Sequence, residues 1–165
     1  MRRRRVFIAV GLAGVVGAVA LAFFVSKATV SALDEPGRLE TYAATRAKRF
    51  VVARRARETM LKPRPVLPNS AAVGEMQFRA RCAACHGLDG RTPSEIGRWM
   101  YPRASDLGAR EVQEWSDGEL FWIVKNGVRL SGMPGFGRTL SDEQIWPLVD
   151  YLRTLGAKDG RPGER

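Results

Sequence analysis

The chain has 165 residues, with 27 Lys plus Arg against 17 Asp plus Glu for a formal charge of +10, two Cys and a single His. These numbers bound the protein to one modest domain with attachments. Two cysteines build no disulfide framework, and one histidine beside them completes neither a four-ligand zinc site nor a His/His metal pair.

Val6 to Val25 is twenty residues without a charge or a proline, directly after Arg2, Arg3, Arg4 and Arg5. At about 1.5 Å per residue a helix of that length matches a bilayer core. A cleaved secretory signal also has a basic head and an apolar run, and Val30-Ser31-Ala32 offers a small-residue cleavage site. A retained anchor is the preferred reading, because a signal's apolar core is typically only about 7 to 15 residues. The four arginines ahead of the span keep the N-terminus in the cytoplasm, and everything after residue 26 is then outside.

The isoelectric point of 10.6 would suit a nucleic-acid binder. Residues 1–68, however, hold 14 basic and 4 acidic side chains, whereas residues 69–165 hold 13 of each. The C-terminal part has no excess positive charge for phosphates, so no nucleic-acid partner is expected.

After a turn signal at Asp34-Glu35-Pro36-Gly37, the residues Leu39, Tyr42, Ala43, Ala47 and Phe50 recur at helical spacing. Arg46, Lys48, Arg49, Arg54, Arg55 and Arg57 fill much of the remaining circumference. Such a helix suits anionic lipid headgroups or an acidic partner, and equally a solvated spacer. Pro63, Pro65 and Pro68 predict a short extended segment that sets the next domain away from the membrane.

A helix is expected over Ser70 to Arg81, and the chemistry begins in Cys82-Ala83-Ala84-Cys85-His86. The spacing C-x-x-C-H is the attachment pattern of a covalent haem c: two thiols add across the two vinyl groups, and the following imidazole ligates the iron. One helical turn between the cysteines lets both reach one edge of the porphyrin. A redox dithiol would need a strand before the motif, and none is patterned here. Zinc would find three ligands at most.

With one His in the chain, a sixth ligand must come from another donor. Met60 belongs to the basic helix, and Met76 and Met100 read as packing. Met133 differs, because it lies in Ser131-Gly132-Met133-Pro134-Gly135-Phe136-Gly137, where the glycines permit close backbone approach and the proline fixes the chain beside the thioether.

Ser116-Asp117-Gly118-Glu119 is a capping box opening a helix that stops at Asn126-Gly127, and Ser141-Asp142-Glu143-Gln144 opens another. Pro147, six residues past the second cap, predicts a kink or a late start. A short helix is expected near Ala109 to Glu114.

Together these features resemble the class I cytochromes c, and closely the small membrane-tethered monohaem group among them. The resemblance covers about residues 70 to 156 and rests on Gly74 and Phe78, on Cys82 to His86, on Gly132-Met133-Pro134-Gly135, and on Tyr151 and Leu152. It implies an all-α class I cytochrome c fold in which Cys82 and Cys85 carry the thioethers, His86 is the proximal ligand and Met133 the distal one. It implies further that the first domain helix crosses the last, with Gly74 at the crossing and Phe78 against Tyr151. A proline carbonyl that accepts a hydrogen bond from the proximal imidazole is also implied, with Pro102 the candidate and Pro93 the other one available. Trp99, Tyr101, Arg98 and Arg103 are candidates for the haem propionates.

The resulting organisation is an anchor or uncleaved signal at 1–26, a basic helical tether and Pro-rich linker at 27–68, a haem domain at 69–157 and a flexible tail at 158–165. Two strong axial ligands leave no open iron position, so an electron carrier or a cytochrome subunit of a respiratory complex is expected rather than an enzyme with a small-molecule substrate. Its partners would be lipid around residues 6–25 and redox proteins in the same bacterial cytoplasmic membrane, with the haem domain on the periplasmic face. A haem enzyme or gas sensor with a labile sixth position and a docking subunit of a larger redox complex are the alternatives.

Overall fold

The computed structural model describes residues 2–27, 31, 33–60, 64 and 68–157. The expected extended segment at Pro63 and Pro65 and the expected tail at 158–165 lie outside these residues. The chain divides into two compact units, Met1–Asp34 and Glu35–Arg165.

The first unit is built on α1, Arg2–Lys27, a continuous helix of 26 residues. Its described large apolar side chains, among them Phe7, Ile8, Leu12, Val16, Leu21 and Val25, are exposed. Among the described residues no helix is long and apolar enough to cross a membrane.

The second unit holds seven helices among the described residues: α2 (Arg38–Met60), α3 (Ser70–Arg81), α4 (Ala83–His86), α5 (Glu95–Trp99), α6 (Arg110–Gln113), α7 (Asp117–Asn126) and α8 (Asp142–Ala157). The β-structure described is one isolated antiparallel bridge between Val128 and Met133. The unit is mainly helical, as expected.

Its centre is the crossing of α3 and α8. A Cβ on Gly74 would fall inside the Pro147 carbonyl, 2.5 Å from the carbonyl carbon and 3.0 Å from the Tyr151 Cβ. The bare glycine is therefore what lets the two backbones meet. One turn on, the Phe78 and Tyr151 rings lie 5.2 Å apart and tilted by 45°, within the centroid range of favourable aromatic pairs. The crossing implied by the resemblance is present at the same residues. Phe78, Ile145, Leu148, Val149 and Leu155 are completely enclosed around it, and burying each such side chain contributes about 1.5 to 3 kcal/mol.

Pro147 produces no late start: α8 begins at Asp142 and runs through the proline. The helical bond it deletes is the one to the Glu143 carbonyl, and Glu143 is exposed, so water can serve that acceptor. The Ser141 end is held by its N–H donating to Gln144 Oε1 at 2.9 Å.

Helix α7 starts with the expected capping box. Ser116 Oγ accepts from Glu119 N–H at 3.3 Å, and Ser116 N–H donates to Glu119 Oε2 at 2.8 Å. Phe121 on α7 stacks on Trp146 of α8 with centroids 4.5 Å apart. Arg153 stitches α8 to the start of α7, donating to Asp117 Oδ1 at 2.8 Å and to the Gln113 carbonyl at 2.9 Å.

The basic helix α2 is part of this unit and packs on α7. Val52 is 3% exposed and Ala56 fully buried, whereas Leu39, Tyr42 and Phe50, from the apolar stripe expected to define the helix, remain exposed. Arg49 places its guanidinium 4.9 Å from the centre of the Trp115 ring and pairs with Glu114 at 3.1 Å. Arg64 adds ion pairs to Asp117 and Asp150. The face that α2 buries is thus chosen by α7, whose neighbourhood supplies the acidic and aromatic partners.

Candidate haem site

Helix α3 ends at Arg81, and the chain makes one further turn before leaving the axis. Cys85 and His86 both donate their N–H to the Cys82 carbonyl, at 3.1 and 2.9 Å, and Gly87 donates to Ala83 at 2.9 Å. This turn is α4, so the two thiols and the imidazole issue from a single helical turn, as the spacing requires. Gly87, at φ 77°, and Gly90, at φ 68°, then reverse the chain. A Cβ on Gly90 would stand 2.6 Å from Leu155 Cδ1 and 3.3 Å from Phe78 Cζ, so the reversal is seated on the core.

Helix α5 locks the other side. Ser94 N–H donates to the Cys85 carbonyl at 3.1 Å and Ser94 Oγ to the Ala84 carbonyl at 2.5 Å. The same hydroxyl caps α5 by accepting from Gly97 N–H at 3.1 Å. Gly97 packs directly on the Cys85 carbonyl, where a Cβ would lie 2.9 Å from the carbonyl carbon.

The segment after α5 returns along it, with Ala104 N–H donating to Gly97 at 2.9 Å and Leu107 N–H to Gly90 at 2.8 Å. Held between those two bonds, the Ser105 carbonyl lies 3.0 Å from His86 Nδ1. A carbonyl only accepts, so Nδ1 carries the proton and Nε2 keeps a free lone pair. The acceptor beside the imidazole is therefore Ser105 and not Pro102 or Pro93. Pro102 lies in a cis peptide bond after Tyr101, before the returning stretch that reaches the ring. Burial lowers the His86 pKa below its usual value, against a smaller opposite pull from the Ser105 bond, and so favours the neutral imidazole a metal needs.

Both cysteines are free thiols and half-buried. Burial raises the Cys82 thiol to about 11, with Arg81 pulling the other way. Among the described residues no group of three or more His, Cys, Asp or Glu is arranged to hold a metal ion.

The loop after α7 carries Met133, which is half-buried. Gly127 closes α7 at φ 69° by donating to Ile123 at 2.8 Å. A Cβ on Gly127 would lie 2.6 Å from the Met133 oxygen, the Pro134 carbonyl carbon and the Gly135 nitrogen alike. Val128 N–H donates to the Met133 carbonyl at 3.2 Å, and Ser131 Oγ accepts from Met133 N–H at 3.3 Å. Downstream, Phe136 and Gly137 donate back to Val124 and Lys125 at 3.0 and 2.8 Å. The thioether therefore hangs from a loop fastened at both ends to the last turn of α7.

Met100, read from sequence as packing, links the two halves. Its Cε lies 2.5 Å from where a Gly132 Cβ would stand, so the end of α5 abuts the Met133 loop. Of the residues considered for propionates, the Tyr101 hydroxyl donates instead to Glu40, and Arg103 donates to Glu35 at 2.7 Å. Trp99 is 67% exposed. Leu88, Ile96 and Leu130, on the segments that converge here, are exposed too. Free thiols on one turn, an imidazole with its Nε2 available, and exposed apolar side chains around them fit a covalently held, largely apolar planar cofactor. Sequence reasoning missed Ser105, because a backbone acceptor has no side-chain signature.

Residues 69–152 match the family profile described as cytochrome c oxidase, cbb3-type, subunit III. The cbb3-type cytochrome c oxidase subunit CcoP of Azospirillum sp. (strain B510) is 26% identical over 127 residues, which is 68% of this chain and 40% of that protein. Cytochrome c6 of Rippkaea orientalis (strain PCC 8801 / RF-1) is 33% identical over 100 residues, 61% of this chain and 83% of that one. Among solved structures, the KustC0563 c-type cytochrome aligns over 50% of this chain and 95% of its own at 26% identity with a TM-score of 0.44. The chain thus spans well under half the length of the oxidase subunit it matches and most of the length of the small cytochrome.

Proposed function

Because the chain belongs to the c-type cytochrome family described as cytochrome c oxidase, cbb3-type, subunit III, we propose that it carries single electrons, between respiratory complexes or as the cytochrome subunit of one, with His86 and Met133 as the axial donors. The cofactor is a haem c held through Cys82 and Cys85, and it supplies an iron that changes oxidation state by one without any substrate bond being made or broken. The observation that carries this reading is the His86 imidazole, whose Nδ1–H is spent on the Ser105 carbonyl 3.0 Å away. That bond orients the ring and reserves Nε2 for the metal. Met133 offers a neutral, soft thioether from a loop that cannot swing freely, because it is tied back to Val124 and Lys125. Held by His86 and Met133, the haem iron would favour electron transfer over oxygen chemistry, and a Met/His donor pair would raise its potential.

The membrane part of the reading rests on α1. Twenty uncharged residues, Val6–Val25, lie within one helix of 26 residues, and the large apolar side chains described among them are exposed. Four arginines precede them. On this reading the uncharged run Val6–Val25, taken from the sequence, anchors the protein in the cytoplasmic membrane with its N-terminus inside, which puts the haem domain on the outer face. Its redox partners are proteins of that same membrane, in keeping with a relative that is an oxidase subunit.

Potentiometric titration of the exported holoprotein tests the carrier reading. A single reversible wave with one electron per haem, with no turnover of peroxide or oxygen by the reduced form, is the expected result. Rapid consumption of either would move the assignment to a haem enzyme.

A further inference from the structure

Helix α2 uses one side for the fold and leaves the other bare. Val52 and Ala56 are buried against the domain, and Arg49 is engaged by Trp115 and Glu114. Counting about 100° per residue, Ala43, Phe50 and Arg54 stand roughly 160° to 200° around the helix from Val52. The stripe they define runs Leu39, Ala43, Arg46, Phe50, Arg54, Arg57, all exposed. Leu39 is 75% exposed and Phe50 is 68% exposed, and Arg46 stacks over Tyr42 at 5.5 Å on the edge of the same face. The acidic side chain near the start of the helix, Glu40, is occupied by the Tyr101 hydroxyl. The outer face therefore offers two large apolar side chains among arginines.

We propose that this face lies on the anionic surface of the bilayer and fixes the orientation of the haem domain above it. Apolar side chains that dip below the headgroups, flanked by arginines that meet lipid phosphates, are the recognition chemistry of an interfacial helix. Chain length supports the same occupant: α1 ends at Lys27 and α2 begins at Arg38, so connectivity alone keeps the start of α2 within about 40 Å of the end of α1. That tether raises the local lipid concentration for a face too small to bind strongly by itself. The inner face is bolted to α7 through Val52 and Ala56, so a helix pinned to the membrane presents the haem domain to membrane partners in one attitude, where an anchor alone would leave it free to tumble. The inference rests on the outward placement of the domain proposed above, but its charge dependence is its own.

In the holoprotein both native thiols are consumed by thioether bonds, so a single introduced cysteine can carry a spin label. Full-length holoprotein labelled at Phe50→Cys, and separately at Leu39→Cys, is reconstituted into vesicles of phosphatidylcholine alone or with one quarter phosphatidylglycerol. Accessibility to oxygen against a water-soluble nickel chelate is then measured. The expected result is a several-fold shift towards oxygen at both positions, only with phosphatidylglycerol, reversed by 0.5 M salt and lost in the triple variant Arg46→Gln/Arg54→Gln/Arg57→Gln. Labels that stay water-exposed in both vesicles overturn the inference, as do labels equally lipid-exposed in both. Protection that arises only when a membrane protein extract is added would assign the face to a protein partner and overturn it too. Flotation with vesicles in high salt reads α1 separately. Protein that floats with water-exposed labels keeps the anchor and loses this inference, whereas protein that associates only at low salt with phosphatidylglycerol loses the anchor and keeps it.

Discussion

Gly74 on α3 meets the backbone carbonyl of Pro147 on α8 with no side chain between them, so that a Cβ at residue 74 would stand 2.5 Å from the Pro147 carbonyl carbon. The contact is backbone on backbone, and neither partner can rotate away. Replacing Gly74 by Ala gains about 1 kcal/mol of helix propensity but forces the two helices apart. Overpacking of this kind costs typically about 1 to 3 kcal/mol, and more where no side chain can yield. We expect Gly74→Ala to lower the unfolding free energy of the holoprotein by at least about 2 kcal/mol in guanidinium titrations. An unchanged midpoint would mean that the crossing is looser than described.

The capped start of α7 was legible in the sequence because its cause is local, Ser116 with Glu119 stating where a helix begins. The haem motif was legible for the same reason, since two thiols and an imidazole within five residues have few other uses. The crossing was expected only through the family resemblance, because Gly74 and Phe78 do not by themselves name partners more than seventy residues away. The buried face of α2 was not legible, because Val52 and Ala56 are no more apolar than Leu39 and Phe50, and the choice between them is made by Glu114 and Trp115, roughly sixty residues away. Ser105 was hidden more deeply, because any residue can offer a carbonyl and only the bonds at Ala104 and Leu107 aim this one at the ring. Pro147 does not delay the start of α8, because its missing bond falls on the exposed Glu143 side of the helix.

The attachment of α2 to α7 predicts a measurable energy. Val52 is 3% exposed, and removing two methyl groups there leaves a small cavity, for which about 1 to 3 kcal/mol is expected. Val52→Ala should lose that much stability and admit trypsin to the arginines of α2 at a concentration that spares the wild type. Phe50→Ala, on the bare face, should do neither in detergent solution. Equal sensitivity of the two variants would contradict the packing.

The loop after α7 makes Met133 depend on a glycine six residues away. A methyl at Gly127 would press on three backbone atoms of residues 133 to 135 at 2.6 Å, and the residue's φ of 69° with ψ of −173° is a region essentially reserved for glycine, which alanine would occupy at a cost of about 1 to 3 kcal/mol. We expect Gly127→Ala to keep its haem, which is attached elsewhere, but to loosen the sixth ligand. The far-red band of iron-sulfur coordination should weaken and carbon monoxide binding should quicken at least tenfold. A normal band in this variant would show that the loop can reshape without moving the thioether.

The account depends most on His86 and Met133 sharing one iron. The most direct measurement is absorption spectroscopy of the exported holoprotein, oxidised, reduced and under carbon monoxide, beside Met133→Ala and Met100→Ala. The account predicts a six-coordinate low-spin spectrum with the far-red band in the wild type and in Met100→Ala, insensitive to carbon monoxide over minutes, and a high-spin, rapidly ligand-binding form in Met133→Ala. A wild type that is already high-spin, or a far-red band that survives the loss of Met133, would contradict it.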